Sequence, residues 1–78
     1  MKKVEIYSTP TCTYCGHAKE FFKKNNVAYT EHNVASDTVK RTEMLEKSGQ
    51  MGVPVIDIDG SIVVGYDEKI LRDLLEIK

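Results

Sequence analysis

Early in the chain the hydrophobic period changes from two to about 3.6, and a pair of cysteines sits at the change. Val4 and Ile6 alternate with Glu5 and Tyr7, which is the pattern of a short strand over residues 3–8. Ser8, Thr9 and Pro10 break that run. From Thr13 the pattern is helical, with Ala18, Phe21 and Phe22 on one face and Lys19, Glu20, Lys23 and Lys24 on a solvated one. Cys12-Thr13-Tyr14-Cys15 therefore occupies a strand-to-helix junction. A strand feeding straight into a helix favours a crossover connection, with the next strand laid parallel to the first.

The remaining elements follow from the same reading. Asn25 and Asn26 end the first helix, and Val27 to Val34 form a second extended run, with His32 as a surface residue. Ser36 or Asp37 caps a second helix that continues through Lys47, with Gly49 as its C′ residue. This helix offers only Val39, Met44 and Leu45 for burial and should lie lightly on the surface. A third strand runs from Val53 or Pro54 to Ile58, Asp59-Gly60 forms a two-residue hairpin turn, and Ser61 to Val64 return. Ile70, Leu71, Leu74 and Leu75 mark the apolar face of a final helix from Asp67 to Glu76. The order β-α-β-α-β-β-α is an α/β arrangement: a four-stranded mixed sheet with three helices on its faces. No linker or repeat interrupts it, so residues 1–78 are expected to form one domain, anchored by Phe21, Phe22, Leu71 and Leu74.

Composition removes several functional classes. Eleven Lys plus Arg against twelve Asp plus Glu give a net charge of −1, which argues against binding nucleic acid through phosphate neutralisation. No apolar run approaches the roughly 18 residues that span a membrane. Lys2 and Lys3 are followed by Val4, Glu5 and Ile6, not by the apolar stretch of a secretory leader, so the expected location is the cytoplasm. Two cysteines are too few for a disulfide scaffold.

Position gives the cysteines their chemistry. The first lies at a helix N-terminus, where unpaired backbone N–H groups and the macrodipole favour negative charge. Thiols at such places have pKa values of ~3.5–7.5, against ~8.5 for a free cysteine. The second lies one turn further on, where it can close a small disulfide ring and expel a bound partner. Cys12 is thus read as the nucleophile and Cys15 as the resolving thiol. A zinc site would need four ligands, and only His17 and His32 are available to complete the set. His17 lies two residues beyond Cys15 on the same helix, with its side chain directed away from the pair, so no metal site is expected.

With these features the sequence resembles a glutaredoxin, within the thioredoxin-like superfamily. The resemblance rests on Val4-Glu5-Ile6-Tyr7 leading into Thr11-Cys12-Thr13-Tyr14-Cys15, on Lys47-Ser48-Gly49, on Val53-Pro54 and on Gly65-Tyr66-Asp67. It implies a thioredoxin-like fold and a monomeric thiol-disulfide oxidoreductase with no tightly bound cofactor, using glutathione as co-substrate. Pro54 is then expected to be cis and to face the active-site disulfide, with the Val53 backbone pairing an extended thiol substrate as a short added strand. Tyr14 is expected beside bound glutathione, and Gly65, Tyr66 and Asp67 at its γ-glutamyl end. Asp67 is also expected to cap the last helix. Protein substrates of the superfamily include ribonucleotide reductase, methionine sulfoxide reductases and peroxiredoxins.

The sequence departs from the family pattern at several positions. Thr13 stands where the commonest motif has Pro, no Lys or Arg lies near Thr9, Gly52 replaces a usual Thr, and Val64-Gly65 replaces Gly-Gly. This partly resembles the redoxins that serve ribonucleotide reductase and are themselves reduced by thioredoxin reductase, which is the alternative reading. A third reading is a metal or iron–sulfur carrier, in which protein and glutathione thiols would hold a cluster. It sits poorly with two active-site cysteines.

Overall fold

The computed structural model describes residues 2–77. The elements are β1 (Val4–Ser8), α1 (Thr13–Lys24), β2 (Thr30–Asn33), α2 (Thr38–Ser48), β3 (Val55–Ile58), β4 (Ser61–Val64) and α3 (Glu68–Leu75). The strand order is β2-β1-β3-β4, with β1 parallel to β2 and antiparallel to β3, and with β4 antiparallel to β3. This is the thioredoxin-like, mixed four-stranded arrangement expected from the sequence.

Alternation along the central strands sorts side chains to two faces. Val4, Ile6, Ile56 and Ile58 join Ala18, Phe21, Phe22 and Leu71 in the larger core, beneath α1 and α3. Tyr7 and Val55 point the other way and pack with Val34 and Met44, beneath α2. Asp59 and Gly60 make the β3–β4 turn with φ of 50° and 92°, a left-handed pair that glycine and aspartate adopt readily. Asp57 tightens this turn by accepting the Gly60 N–H at 2.7 Å.

The second strand is shorter than the extended run in the sequence. The Val27 N–H donates to the Phe22 carbonyl at 2.8 Å, so residues after α1 are still occupied in closing that helix. Pairing with β1 begins only where Thr30 meets Glu5. Strand β3 likewise starts at Val55, because Pro54 has no N–H to donate to a ladder. On α3, Leu71 is buried, but Ile70 is exposed, so the apolar face is narrower than its sequence pattern.

Helix α2 also departs from expectation. Of its three apolar residues only Met44 is buried, while Val39 and Leu45 are exposed. The helix does not lie lightly on the sheet, however: a polar clamp holds it there. Glu5 and Asp57 face each other across β1 and β3, two carboxylates in direct register on the α2 side. Like charges in that position repel, and Lys47 resolves the conflict from above. Its Nζ lies 2.7 Å from Asp57 Oδ2 and 3.7 Å from Glu5 Oε2, and it donates to the Tyr7 hydroxyl at 2.8 Å. Tyr7 in turn donates to Glu43 Oε1 at 2.8 Å, and Lys40 reaches Glu43 Oε2 at 3.1 Å. His32 is half-buried in this layer, contrary to a surface role. Its Nε2 meets Glu5 Oε1 at 3.1 Å, and its ring lies 5.0 Å from that of Tyr7.

These contacts set the ionisation of the layer. Hydrogen bonds from Tyr7 and then Lys40 pull the Glu43 carboxyl down to about 2, from an ordinary 4.5. Burial alone would lower the Lys47 ammonium, but bonds to Asp57, Tyr7 and Glu43 outweigh it and hold the group above the ordinary lysine range. Burial pushes the Tyr7 hydroxyl up, so it stays protonated as the donor to Glu43. Between its ordinary value and about 2, Glu43 takes up a proton in the unfolded chain but not in the folded one. Stability is therefore expected to fall as pH drops through that window. A Glu43→Gln variant should show a shallower fall there, measured as urea unfolding free energy at stepped pH. An unchanged slope would remove Glu43 as its source.

Candidate functional site

The site is built at the end of β1. Thr9 accepts the Cys12 N–H at 3.3 Å, and Cys12 then serves as the N-cap of α1. Its Sγ takes the capping place usually held by a side-chain oxygen, accepting the Cys15 N–H at 3.1 Å. Cys12 and Cys15 are joined as a disulfide, with Cα atoms 5.2 Å apart. Their surroundings differ: Cys12 is half-buried, whereas Cys15 is fully buried against the core. The α1 N-terminus carries no acidic residue in its first turn, and Lys23 and Lys24 lie in its last, so no carboxylate in that turn opposes the dipole at Cys12.

Other residues singled out in the sequence fall into two groups. Tyr14 is 63% exposed, and its ring lies 5.9 Å from His17, whose own ring is 6.2 Å from Tyr66. His17 thus neighbours two tyrosines on the flank of α1. The Val53-Pro54 bond is cis, and the carbonyl of the buried Pro54 accepts the Gly65 N–H at 2.7 Å. Gly65 has a φ of 85°, a left-handed conformation that explains a glycine at this position. Asp67 caps α3 through Oδ1, which accepts the Ile70 N–H at 3.3 Å. Burial, then the neighbouring Glu68 carboxylate, raises the half-buried Tyr66 hydroxyl.

One residue here escaped the sequence reading. Thr9, Val34, Met44, Met51 and Val53 line a cavity of about 280 Å³, and Arg41 of α2 is the charged residue in its wall. A cation therefore does border the site next to Thr9, supplied from another element. Arg41 is exposed and lies three residues before Met44, which places the two on one side of α2. Spacing from the one buried apolar residue was the signal available for it.

Comparison with known proteins agrees with this geometry. A family model described as Glutaredoxin matches residues 4–63. An uncharacterised glutaredoxin-like 8.6 kDa protein in a rubredoxin operon of Clostridium pasteurianum is 47% identical over 73 residues, covering 94% of this chain and 97% of that one. Glutaredoxin 3 of Escherichia coli K12 is 38% identical over 68 residues, covering 87% and 82%. Among solved structures, a mutant of the thioredoxin-like protein BC3987 superposes with a TM-score of 0.92 at 41% identity, covering 100% of both chains. A glutaredoxin from Archaeoglobus fulgidus superposes at 0.86 with 26% identity, covering 96% and 87%. With its cysteine pair at the strand-to-helix junction, the chain belongs to the glutaredoxin family.

Proposed function

We propose that this thiol oxidoreductase runs a dithiol cycle with glutathione as its co-substrate, Cys12 as nucleophile and Cys15 as resolving thiol. The observation that carries the reading is the difference in exposure between two linked sulfurs, half-buried Cys12 and fully buried Cys15. In the reduced protein, Cys12 thiolate attacks one sulfur of a substrate disulfide, and the other sulfur leaves as a thiolate that takes up a proton. Cys15 then gives up its proton and attacks the Cys12 sulfur, expelling the second substrate thiol and closing the Cys12–Cys15 disulfide. Two electrons and two protons have passed to the substrate. Two glutathione molecules return them, leaving as glutathione disulfide. The cycle suits a reducing compartment such as the cytoplasm, with disulfide-containing proteins as substrates.

The glutathione reading draws support from the Arg41 cavity beside Thr9 and Val53, where a carboxylate of an extended thiol would find a cation. Tyr14, Val53, Pro54, Gly65, Tyr66 and Asp67 are the remaining residues proposed to border it. Arg41→Ala is expected to raise the KM for a glutathionylated peptide about three- to tenfold, the weight of a partly exposed charged contact, with kcat little changed. An unmoved KM would detach Arg41 from glutathione.

A second reductant has specific support. Val64, where the family usually has glycine, is 54% exposed next to Gly65, and the clostridial relative is named for a rubredoxin operon. Parallel coupled assays decide between them, one with glutathione and glutathione reductase, the other with thioredoxin reductase. Turnover is expected in the first. Rapid turnover in the second alone would replace glutathione with thioredoxin reductase as the electron source.

A further inference from the structure

A second cavity, of about 300 Å³, lies on the flank of α1 and the start of α3, lined by neither cysteine and sharing Tyr66 with the residues proposed to border glutathione. Its walls include His17, Phe21, Lys24, Tyr66, Glu68 and Arg72. Aromatic rings link it to the active-site surface. Tyr14 neighbours His17 at 5.9 Å, His17 neighbours Tyr66 at 6.2 Å, and Tyr66 meets Phe21 edge-on at 6.2 Å. All these spacings lie in the range in which rings attract one another. Four charged residues border it: Arg72 Nε donates to Glu68 Oε2 at 2.9 Å with its guanidinium 5.4 Å from the Phe21 ring, while Glu20 and Lys24, of opposite sign, are exposed at the edge.

From this we propose that the cavity is a subsite for protein substrates, taking one aromatic side chain near the attacked cysteine. It rests on the dithiol reading above. The volume is at the lower end of ligand pockets, enough for one planar side chain. The chemistry is that of ring against ring, since Glu68 and Arg72 neutralise one another and the exposed Glu20 and Lys24 are of opposite sign, so the lining as a whole carries no net charge to select an ion. Helix geometry sets the reach. From Cys12 to a point midway between His17 and Phe21 is roughly 10 Å along α1 at about 1.5 Å per residue. An extended peptide covers that in about three residues. Substrates bearing an aromatic residue three positions from the reactive cysteine are therefore preferred.

The test compares glutathionylated peptides carrying phenylalanine three residues to either side of the cysteine with the same peptides carrying alanine there. With the unmodified protein, one phenylalanine peptide should have a KM about two- to tenfold below its alanine counterpart, the weight of one aromatic contact. His17→Ala should erase the preference, and His17→Phe should retain it. Both variants should reduce bis(2-hydroxyethyl) disulfide like the parent, since that substrate is too short to reach the cavity. Equal KM values for all peptides, or a preference that survives His17→Ala, would overturn the subsite. Serine-for-cysteine versions of the peptides, titrated by NMR, separate this from failure of the redox cycle. Shifts of the His17 and Tyr66 ring protons with the phenylalanine peptide alone uphold the subsite even if no peptide is turned over. Absence of those shifts while peptides are reduced sinks it and leaves the cycle standing.

Discussion

Cys12→Ser is expected to reduce disulfide turnover to background, while Cys15→Ser retains deglutathionylation and loses reduction of protein disulfides. The difference follows from the proposed roles. Without Cys12 there is no sulfur at the helix N-cap to attack. Without Cys15 the mixed disulfide still forms, but only a second glutathione can release it. Lowering a thiol pKa from ~8.5 to ~7 raises its thiolate fraction at neutral pH some fifteen-fold, whereas a Brønsted slope of ~0.45 costs about five-fold in nucleophilicity. Attack therefore gains only about three-fold. The larger effect is on direction: the N-cap sulfur is the one that substrate can reach, and it is the one Cys15 then attacks, with the substrate thiolate as the leaving group. The Cys15→Ser protein should accumulate as a covalent adduct with a protein substrate, seen by intact mass as protein plus one substrate chain. Full activity in Cys12→Ser would refute the assignment. Equal losses in both variants on glutathionylated peptides would refute the division of roles.

Much of this molecule was legible because its main devices are local. The period change at Ser8-Thr9-Pro10, the Asp59-Gly60 turn, and the Asp37 and Asp67 caps each use neighbours in sequence, and each forms where expected. The cysteine pair belongs to the same class. The side of α2 that borders the sheet and the cavity was hidden because it carries charge: exposed Arg41, buried Met44 and half-buried Lys47 recur at three-residue spacing, and two of the three are cations. A search for apolar periodicity finds Val39 and Leu45 instead, both of which face water. Glu5 and Asp57 were misleading for a related reason. Each occupies the polar phase of an alternating strand and so looks solvated. Only the β1–β3 register brings them opposite one another and creates the place Lys47 fills. His32 followed them inward, since its partner Glu5 lies on that face.

Lys47→Met is accordingly expected to be among the most damaging single changes outside the cysteines. Methionine keeps much of the length and apolar stem of the side chain, so the loss is that of the ammonium and its partners. Removing one member of a buried ion pair costs about 3–5 kcal/mol. Here the lysine side chain is 27% exposed, against 11% for Asp57 and 15% for Glu5. Water then screens part of the repulsion, and about 2–3 kcal/mol is the appropriate scale. For a chain of this size that corresponds to a drop of roughly 10–20 °C in Tm. The loss is also comparable to much of what so small a core supplies, about 3–5 kcal/mol. Because α2 carries Arg41 and Met44 into the wall of the cavity beside Thr9, loosening it should raise the KM for glutathionylated peptide while Cys12 attack on a small disulfide persists. Adding Asp57→Asn removes one stranded charge while keeping an oxygen for the Gly60 N–H. The double variant should therefore be more stable than the sum of the single losses allows, a positive coupling readable from a double-mutant cycle. Thermal unfolding and urea titration of the four proteins decide it. A Lys47→Met protein melting within a degree or two of the parent would mean that Met44 packing alone holds α2, and that the carboxylate pair across β1 and β3 is relieved by water instead.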